Sequence, residues 1–262
     1  MERRKRSSWE IQRSVIFALL MRELKTRFGN YRLGYLWAVL EPLSHVAVFV
    51  VIFGVIMDRT MPGVNYPMFL VTGIMPWLLF SNIVNRGMVA VTSNATLFSY
   101  RQVKPMDTIV ARVILETLVQ LFVFALIVVV AIWIGIDFRI FDPFNVIAAL
   151  AALVIFSAAI AICLCIVATL YPELGKVIPM VMRPLYFVSG IFWPLASVPH
   201  EYHPYLVWNP VLHVIESVRN DVFPAYQSSN EINITYVFML AVIFLALGLA
   251  IYRQTTNRLI AT

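Results

Sequence analysis

Six stretches of this chain are long and apolar enough to cross a lipid bilayer, and that pattern leaves few folds open to it. They run over 36–57, 66–84, 109–136, 144–170, 177–195 and 234–252. A helix rises 1.5 Å per residue, so roughly 20 apolar residues span a hydrocarbon core of about 30 Å. The fifth stretch is marginal, because Pro179, Arg183 and Pro184 interrupt it. Within lipid a backbone N–H finds no water, and a segment this long satisfies its own hydrogen bonds only as a helix. The sequence therefore predicts an all-α integral membrane protein with six transmembrane helices. Composition agrees: 61% of residues are hydrophobic and 13% are charged, with a mean hydropathy of +0.82. A charge at the bilayer centre costs about 2.5–3.5 kcal/mol on insertion scales, so the clusters of charge mark where the chain meets water.

The basic residues orient the spans. With the amino terminus inside, sixteen of the 20 Lys and Arg fall in cytoplasmic segments, nine of them before the first span. Only Arg59, Arg139 and Arg219 fall in outside segments, and Arg183 lies within a span. Retention of basic residues on the inner side and an even number of spans both predict two cytoplasmic termini. The first span follows 35 mostly basic and amphipathic residues rather than a short charged leader, so it is expected to stay in the mature protein. The net charge of +6 sits at membrane edges with no nucleic-acid recognition motif, and anionic headgroups are its expected partner.

Residues 1–35 read as a cytoplasmic segment and 36–262 as one transmembrane domain without internal repeats. Over 9–28, Ile16, Leu20, Leu24 and Phe28 recur every four residues while Arg13, Arg22 and Lys25 take other faces, which predicts a helix lying in the interface plane. Asp142 and Pro143 suit the cap and first turn of the fourth span. The loop 85–108 has room for a short cytoplasmic helix, and Pro105 with Asp107 marks a break before the third span. The segment 196–231 is too apolar for a solvated loop and, with Pro199, Pro204, Pro210 and Pro224, too broken for a span. It reads as two re-entrant half-helices near the outer face, since irregular backbone at membrane depth must be buried in protein or line a cavity.

Several chemistries are absent by pattern. No G-x-x-x-x-G-K-[ST] loop is present, so ATP driving this protein is bound by another chain. His200-Glu201-Tyr202-His203 has its imidazoles three residues apart, not the four of H-E-x-x-H, and with flanking prolines reads as a capped interfacial turn rather than a metal site. Cys163 and Cys165 point to different faces of one helix and read as apolar fillers. No G-x-S-x-G context supports an intramembrane protease at Ser157, Ser189 or His45.

Polar groups inside spans carry the remaining candidates. Arg112, Glu116 and Gln120 share one face of the third helix, either as an Arg–Glu pair that neutralises itself and holds the bundle or as the lining of a polar pathway. Glu41 and His45 form a similar pair beside Pro42. Tyr186, Phe187, Phe192, Trp193, Tyr202, Tyr205 and Trp208 cluster on the fifth span and its outer flank. They read either as membrane-edge anchors or as a carbohydrate track, because sugar rings stack on aromatic faces.

Three stretches in order complete the reading. Arg27-Phe28-Gly29 with Leu33-Gly34-Tyr35-Leu36-Trp37 and Glu41-Pro42 resembles the entry to the first helix of ABC-2 type permeases that export polysaccharide. Tyr100-Arg101-Gln102-Val103-Lys104-Pro105 is similar to their cytoplasmic loop, and Ser189-Gly190-Ile191-Phe192-Trp193-Pro194 with Pro199, Asn209-Pro210, Glu216 and Arg219 to their fifth helix and external re-entrant segment. Within that family the chain most resembles the permeases of group 2 capsule systems. The resemblance implies a homodimer around a channel in the bacterial inner membrane, carrying lipid-linked polysaccharide. Each copy would bind a cytoplasmic ATPase subunit that holds the ATP and Mg, with a periplasmic polysaccharide co-polymerase and an outer-membrane export protein beyond. No cofactor falls on this chain. It further implies ATPase coupling at Arg22, Lys25, Tyr100, Arg101 and Lys104, a polysaccharide pathway past Arg112, Glu116, Tyr186, Phe192 and Trp193, and an external gate at Pro199, Trp208, Asn209, Pro210, Glu216 and Arg219. Export of O-antigen, teichoic acid or drug-like molecules is the alternative, and an intramembrane enzyme a more distant one.

Overall fold

A computed structural model describes residues 7–28, 34–100, 102–136 and 138–261, and the described residues form helices and no strand. In chain order these are α1 (Ser8–Phe28), α2 (Gly34–Phe49) continuing as a π-helical segment (Val50–Ile56), α3 (Tyr66–Met88), a 3₁₀ segment (Thr92–Ser99), α4 (Pro105–Trp133), α5 (Pro143–Leu170), α6 (Leu174–Val188), α7 (His203–Leu206), α8 (Pro210–Val222) and α9 (Ile234–Ala261).

Local sequence sets the helix starts. Asn65, Asp142 and Asn209 each precede a helix with proline in its first two positions, and each side chain accepts a hydrogen bond from a first-turn amide, Met68 at 3.2 Å, Asn145 at 3.1 Å and Val211 at 3.0 Å. Proline there forgoes an amide that would lack a partner anyway. At α4 the cap works in reverse: Asp107 accepts from the Lys104 amide at 3.0 Å, just before Pro105. The breaks predicted at Asp142 and at Pro105 thus fall where the sequence placed them.

Helix α3 is the centre of the bundle. Of its most apolar window 83% is buried, against 11% for Leu36–Ile56 and 17% for Ile234–Thr256, so the last two face outward along most of their length. Helix α5 packs against α3 and α9 through small residues, with Ala149, Ala152, Ala159 and Ala161 buried. Close approach of backbones is how helices associate in lipid, where apolar burial alone gives no preference. Gly87 makes the tightest approach on that seam, since a Cβ there would lie 2.7 Å from that of Ala161.

Among the described residues, five helices are long and apolar enough to cross a membrane: Leu36–Ile56, Tyr66–Met88, Pro105–Trp133, Pro143–Leu170 and Ile234–Thr256. The fifth predicted stretch is shorter than the sequence suggested. Its helix α6 has 15 residues, about 22 Å at 1.5 Å per residue. It ends because Gly190 takes φ +71°, a left-handed turn natural to glycine, and a Cβ there would lie 2.4 Å from Leu212 Cδ1. The segment 196–231 folds as 3₁₀ turns at Leu195–Ser197 and His200–Tyr202, the four-residue α7, and the 13-residue α8. Helix α8 is no solvated loop: ten of its residues are buried, against α5, α3 and α9. Arg219, assigned to the outer aqueous side by charge counting, is instead fully buried.

Candidate functional site

Two polar centres occupy opposite ends of the bundle, joined by an aromatic cluster. At the end holding α1 and the start of α4, α1 is clamped to the bundle by charge. Glu23 and Arg27 lie one turn apart on α1, as do Arg112 and Glu116 on α4, and the pairs cross: Arg112 Nε meets Glu23 at 3.1 Å and Arg27 meets Glu116 at 2.6 Å. Arg86, at the end of α3, adds a second guanidinium 3.3 Å from Glu116, and its carbonyl accepts from Arg112 Nη1 at 2.6 Å. Arg22 donates to Asn94 Oδ1 at 2.5 Å, Asn94 donates to Glu23 at 3.1 Å, and Gln12 donates to Asp107. The Arg112–Glu116 self-pairing read from the sequence is therefore replaced by cross-helix pairing, because α1 presents the complementary charges at the same pitch. Burial pushes the Arg27 guanidinium below its ordinary pKa, and Glu116 pulls it back up. The Glu116 side chain is only 4% exposed, which places this ion pair in the class whose loss is costly.

Between these charges opens a cleft of about 260 Å³ lined by Glu23, Thr26, Arg27, Arg86, Arg112 and Glu116. A smaller polar cavity of about 60 Å³ continues from Arg27 past Glu41, His45, Asn82 and Gln120. His45 does not bond Glu41 as its spacing suggested; its Nε2 lies 2.9 Å from the Tyr186 hydroxyl. Beyond it Tyr186, Phe192, Phe49, Phe53 and Trp77 form one cluster, with centroids 4.8 Å apart for Phe49–Phe192, 5.3 Å for Tyr186–Phe192 and 5.5 Å for Trp77–Tyr186. Tyr186 and Phe192 are buried, so neither an anchor nor an open sugar track describes them in this conformation. Trp193 is half-buried and donates its indole N–H to the Phe187 carbonyl at 3.2 Å. Tyr202, Tyr205 and Trp208, between α6 and α8, are exposed.

The second centre locks α8 to the end of α6. Arg219 donates to the Gly190 and Ile191 carbonyls, both at 2.7 Å, lies 3.6 Å from Glu216, and stacks its guanidinium 3.6 Å above the Phe69 ring. These two carbonyls are free to accept because the chain leaves helix at the Gly190 turn. Gly73 makes room for the guanidinium: a Cβ there would lie 2.6 Å from Arg219 Nη2. Glu216 Oε1 accepts from the Leu195 amide at 3.1 Å and the Tyr226 hydroxyl at 2.7 Å, while Glu216 Oε2 and Arg219 Nε are buried with no protein partner. Asn209, besides capping α8, donates to Ser189 Oγ at 3.0 Å.

Of the residues assigned to coupling, Arg22 belongs to the clamp, Lys25, Tyr100 and Lys104 are exposed, and Arg101 lies outside the described residues, as do Gly29 and Leu33 of the first motif. Of the six gate residues, Asn209, Glu216 and Arg219 are buried, Pro210 opens α8, and Pro199 and Trp208 lie exposed at its rim. Sequence reasoning missed Glu23, Arg27, Arg86 and Asn94 as site residues. The legible signal was the pair of i, i+4 charge couples in opposite order on α1 and α4; nothing in the sequence marked Arg86, Asn94 or Tyr226.

Fold and charge pattern together define an all-helical, multi-pass membrane protein. A family model described as ABC-2 type transporter matches residues 14–223, and the chain belongs to that family. It is 42% identical over 257 residues to the polysialic acid transport protein KpsM of Escherichia coli, covering 98% of this chain and 99% of that protein. The capsule polysaccharide export inner-membrane protein CtrC of Neisseria meningitidis serogroup B is 31% identical over 256 residues, 94% of each chain. The protein BexB of Haemophilus influenzae, similarly named, is 30% identical over 222 residues, covering 83% of this chain and 82% of its own.

Proposed function

We propose that this chain is the inner-membrane permease subunit of an ATP-driven exporter and that its cargo is lipid-linked capsular polysaccharide. The observation that carries the reading is end-to-end similarity to a polysialic acid transport protein, supported by similarity to two capsule export proteins. The chain acts as a transport path and not as an enzyme, with ATP hydrolysed on a separate subunit.

In this reading six crossings place both termini in the cytoplasm. The short α6 completes the sixth: its Gly175 lies beside Ala168 at the end of α5, while Ile191, in the turn that follows it, lies against Gly73 nearer the opposite end of α3. Helix α8 is then a re-entrant half-helix and its lock with Gly190 the external gate. The outward faces of α2 and its π segment, with Val48, Val51, Val55 and Ile56 exposed, meet lipid or a second copy in a homodimer. Two ATPase subunits, binding ATP and Mg, dock on α1 and on the loop from Tyr100 to Lys104, where Tyr100 and Lys104 are exposed. Their closure moves α1 and α4 as one body through the ion-pair clamp, a rigid-body shift between two states. That shift separates α2 from α6, so that Arg112 and Glu116 at the cleft and then Tyr186, Phe192 and Trp193 become the glycan's path. A periplasmic co-polymerase and an outer-membrane export protein receive the chain.

Deleting the gene is expected to abolish surface capsule while glycan accumulates inside the cell; normal capsule with new drug sensitivity would overturn the substrate class. Arg101→Glu with Lys104→Glu is expected to release the ATPase while the bundle stays folded, since Lys104 is exposed. Undiminished export from that double variant would remove the loop from the mechanism.

A further inference from the structure

We propose that His200, His203 and Glu231 form a binding site for a zinc-like divalent cation at the gate end of the bundle. Their ligand atoms all lie within 4.8 Å of one another. His203 is buried, its Nε2 is 3.0 Å from the Val198 carbonyl, and its Nδ1 is 3.1 Å from Glu231 Oε2. A carbonyl can only accept, so Nε2 carries the proton and the neutral ring turns the lone pair of Nδ1 toward a carboxylate. Two electron-rich atoms at that distance need a positive species between them, a second proton or a metal ion.

His200 completes the donor set. Its ring stands 4.5 Å from that of His203, so a second imidazole supplies a further nitrogen donor to the same gap, which bridging by a proton alone does not require. Donors about 2.0–2.2 Å from a zinc ion lie roughly 3.3 Å apart in a tetrahedron, close to the separation of His203 and Glu231. His200 is exposed and closes the remaining distance by turning its side chain. Two imidazoles and one carboxylate suit zinc rather than calcium or magnesium, which prefer oxygen. The Val198 carbonyl plays the outer-shell part that fixes a ligating histidine. Such an ion would tie the turn before α7 to the connection before α9, bracketing α8 and its Glu216–Arg219 lock. Spacing within 200–203 could not show this, because Glu231 arrives from beyond α8.

The test uses the full chain, purified in detergent and stripped with chelator. Cobalt(II) alone is expected to give visible d–d absorption that zinc(II) abolishes, with about one zinc retained per chain after gel filtration. His200→Ala and Glu231→Gln alter exposed side chains and preserve the fold, and each is expected to weaken zinc binding at least about tenfold. Absence of cobalt absorption would mean that a proton alone bridges His203 and Glu231, and would overturn the proposal. Full binding in both variants would place the metal elsewhere and overturn it equally.

Discussion

Replacing Arg219 with methionine is expected to cost about 3–5 kcal/mol of stability, the usual penalty for breaking a buried ion pair from one side. Methionine refills much of the space, but the Gly190 and Ile191 carbonyls, each 2.7 Å from the guanidinium, lose their donor. Glu216, itself fully buried, is left without its counter-charge. The pair is not completely satisfied by protein, since Glu216 Oε2 and Arg219 Nε lack partners, and such a pair contributes little against an apolar replacement of both members. The double variant Glu216→Gln, Arg219→Met is therefore expected to be more stable than Arg219→Met alone, a coupling visible in a double-mutant cycle. Fraction folded against SDS mole fraction in mixed micelles measures both. A single variant within about 1 kcal/mol of wild type would show that the α6–α8 lock does not hold the gate segment.

The second large effect is at the other end. Glu116→Ala leaves Arg27 and Arg86 facing each other across a cleft without the carboxylate both contact. Arg86 is 35% exposed and retains some solvation, so the expected loss is about 2 kcal/mol rather than the full cost of a buried pair. That amounts to roughly a thirtyfold fall in the ratio of docked to undocked α1. Glu23–Arg112 and Gln12–Asp107 remain to hold part of the helix, so the bundle itself is expected to stay folded. Limited proteolysis after the exposed Lys25 should accelerate by about that factor and export should fall with it. Unchanged cleavage would mean that α1 is held by its apolar contacts and that the charges are incidental.

What the sequence made legible follows from which forces are local. Hydropathy located the starts of the long helices to within a few residues, and Asp142, Pro143, Pro105 and Asp107 marked starts that depend on groups one turn away. The end of α6 was overrun because hydropathy continues through Ile191, Phe192 and Trp193 while the backbone turns at Gly190, whose conformation no periodicity reports. Arg219 was misplaced for a related reason. Counting charges assumes that an arginine seeks water, whereas here two helix-end carbonyls, Glu216 and the Phe69 face replace it. The Arg112–Glu116 couple was recognised as an ion-pair element, but its partners on α1 lie 89 residues away in each case. A charge has no directionality along the sequence that would name its mate.

The proposed mechanism requires the clamp end and the gate end to lie on opposite sides of the membrane, so that a motor at the first can open the second. Single cysteines in place of Tyr100 and Tyr205, both exposed side chains, test it directly with a membrane-impermeant maleimide. In cells whose outer membrane is permeabilised, Tyr205→Cys is expected to label at once and Tyr100→Cys only after the inner membrane is broken. Labelling of Tyr100→Cys from the periplasm would leave an ATPase nothing to push on and would exclude this mechanism.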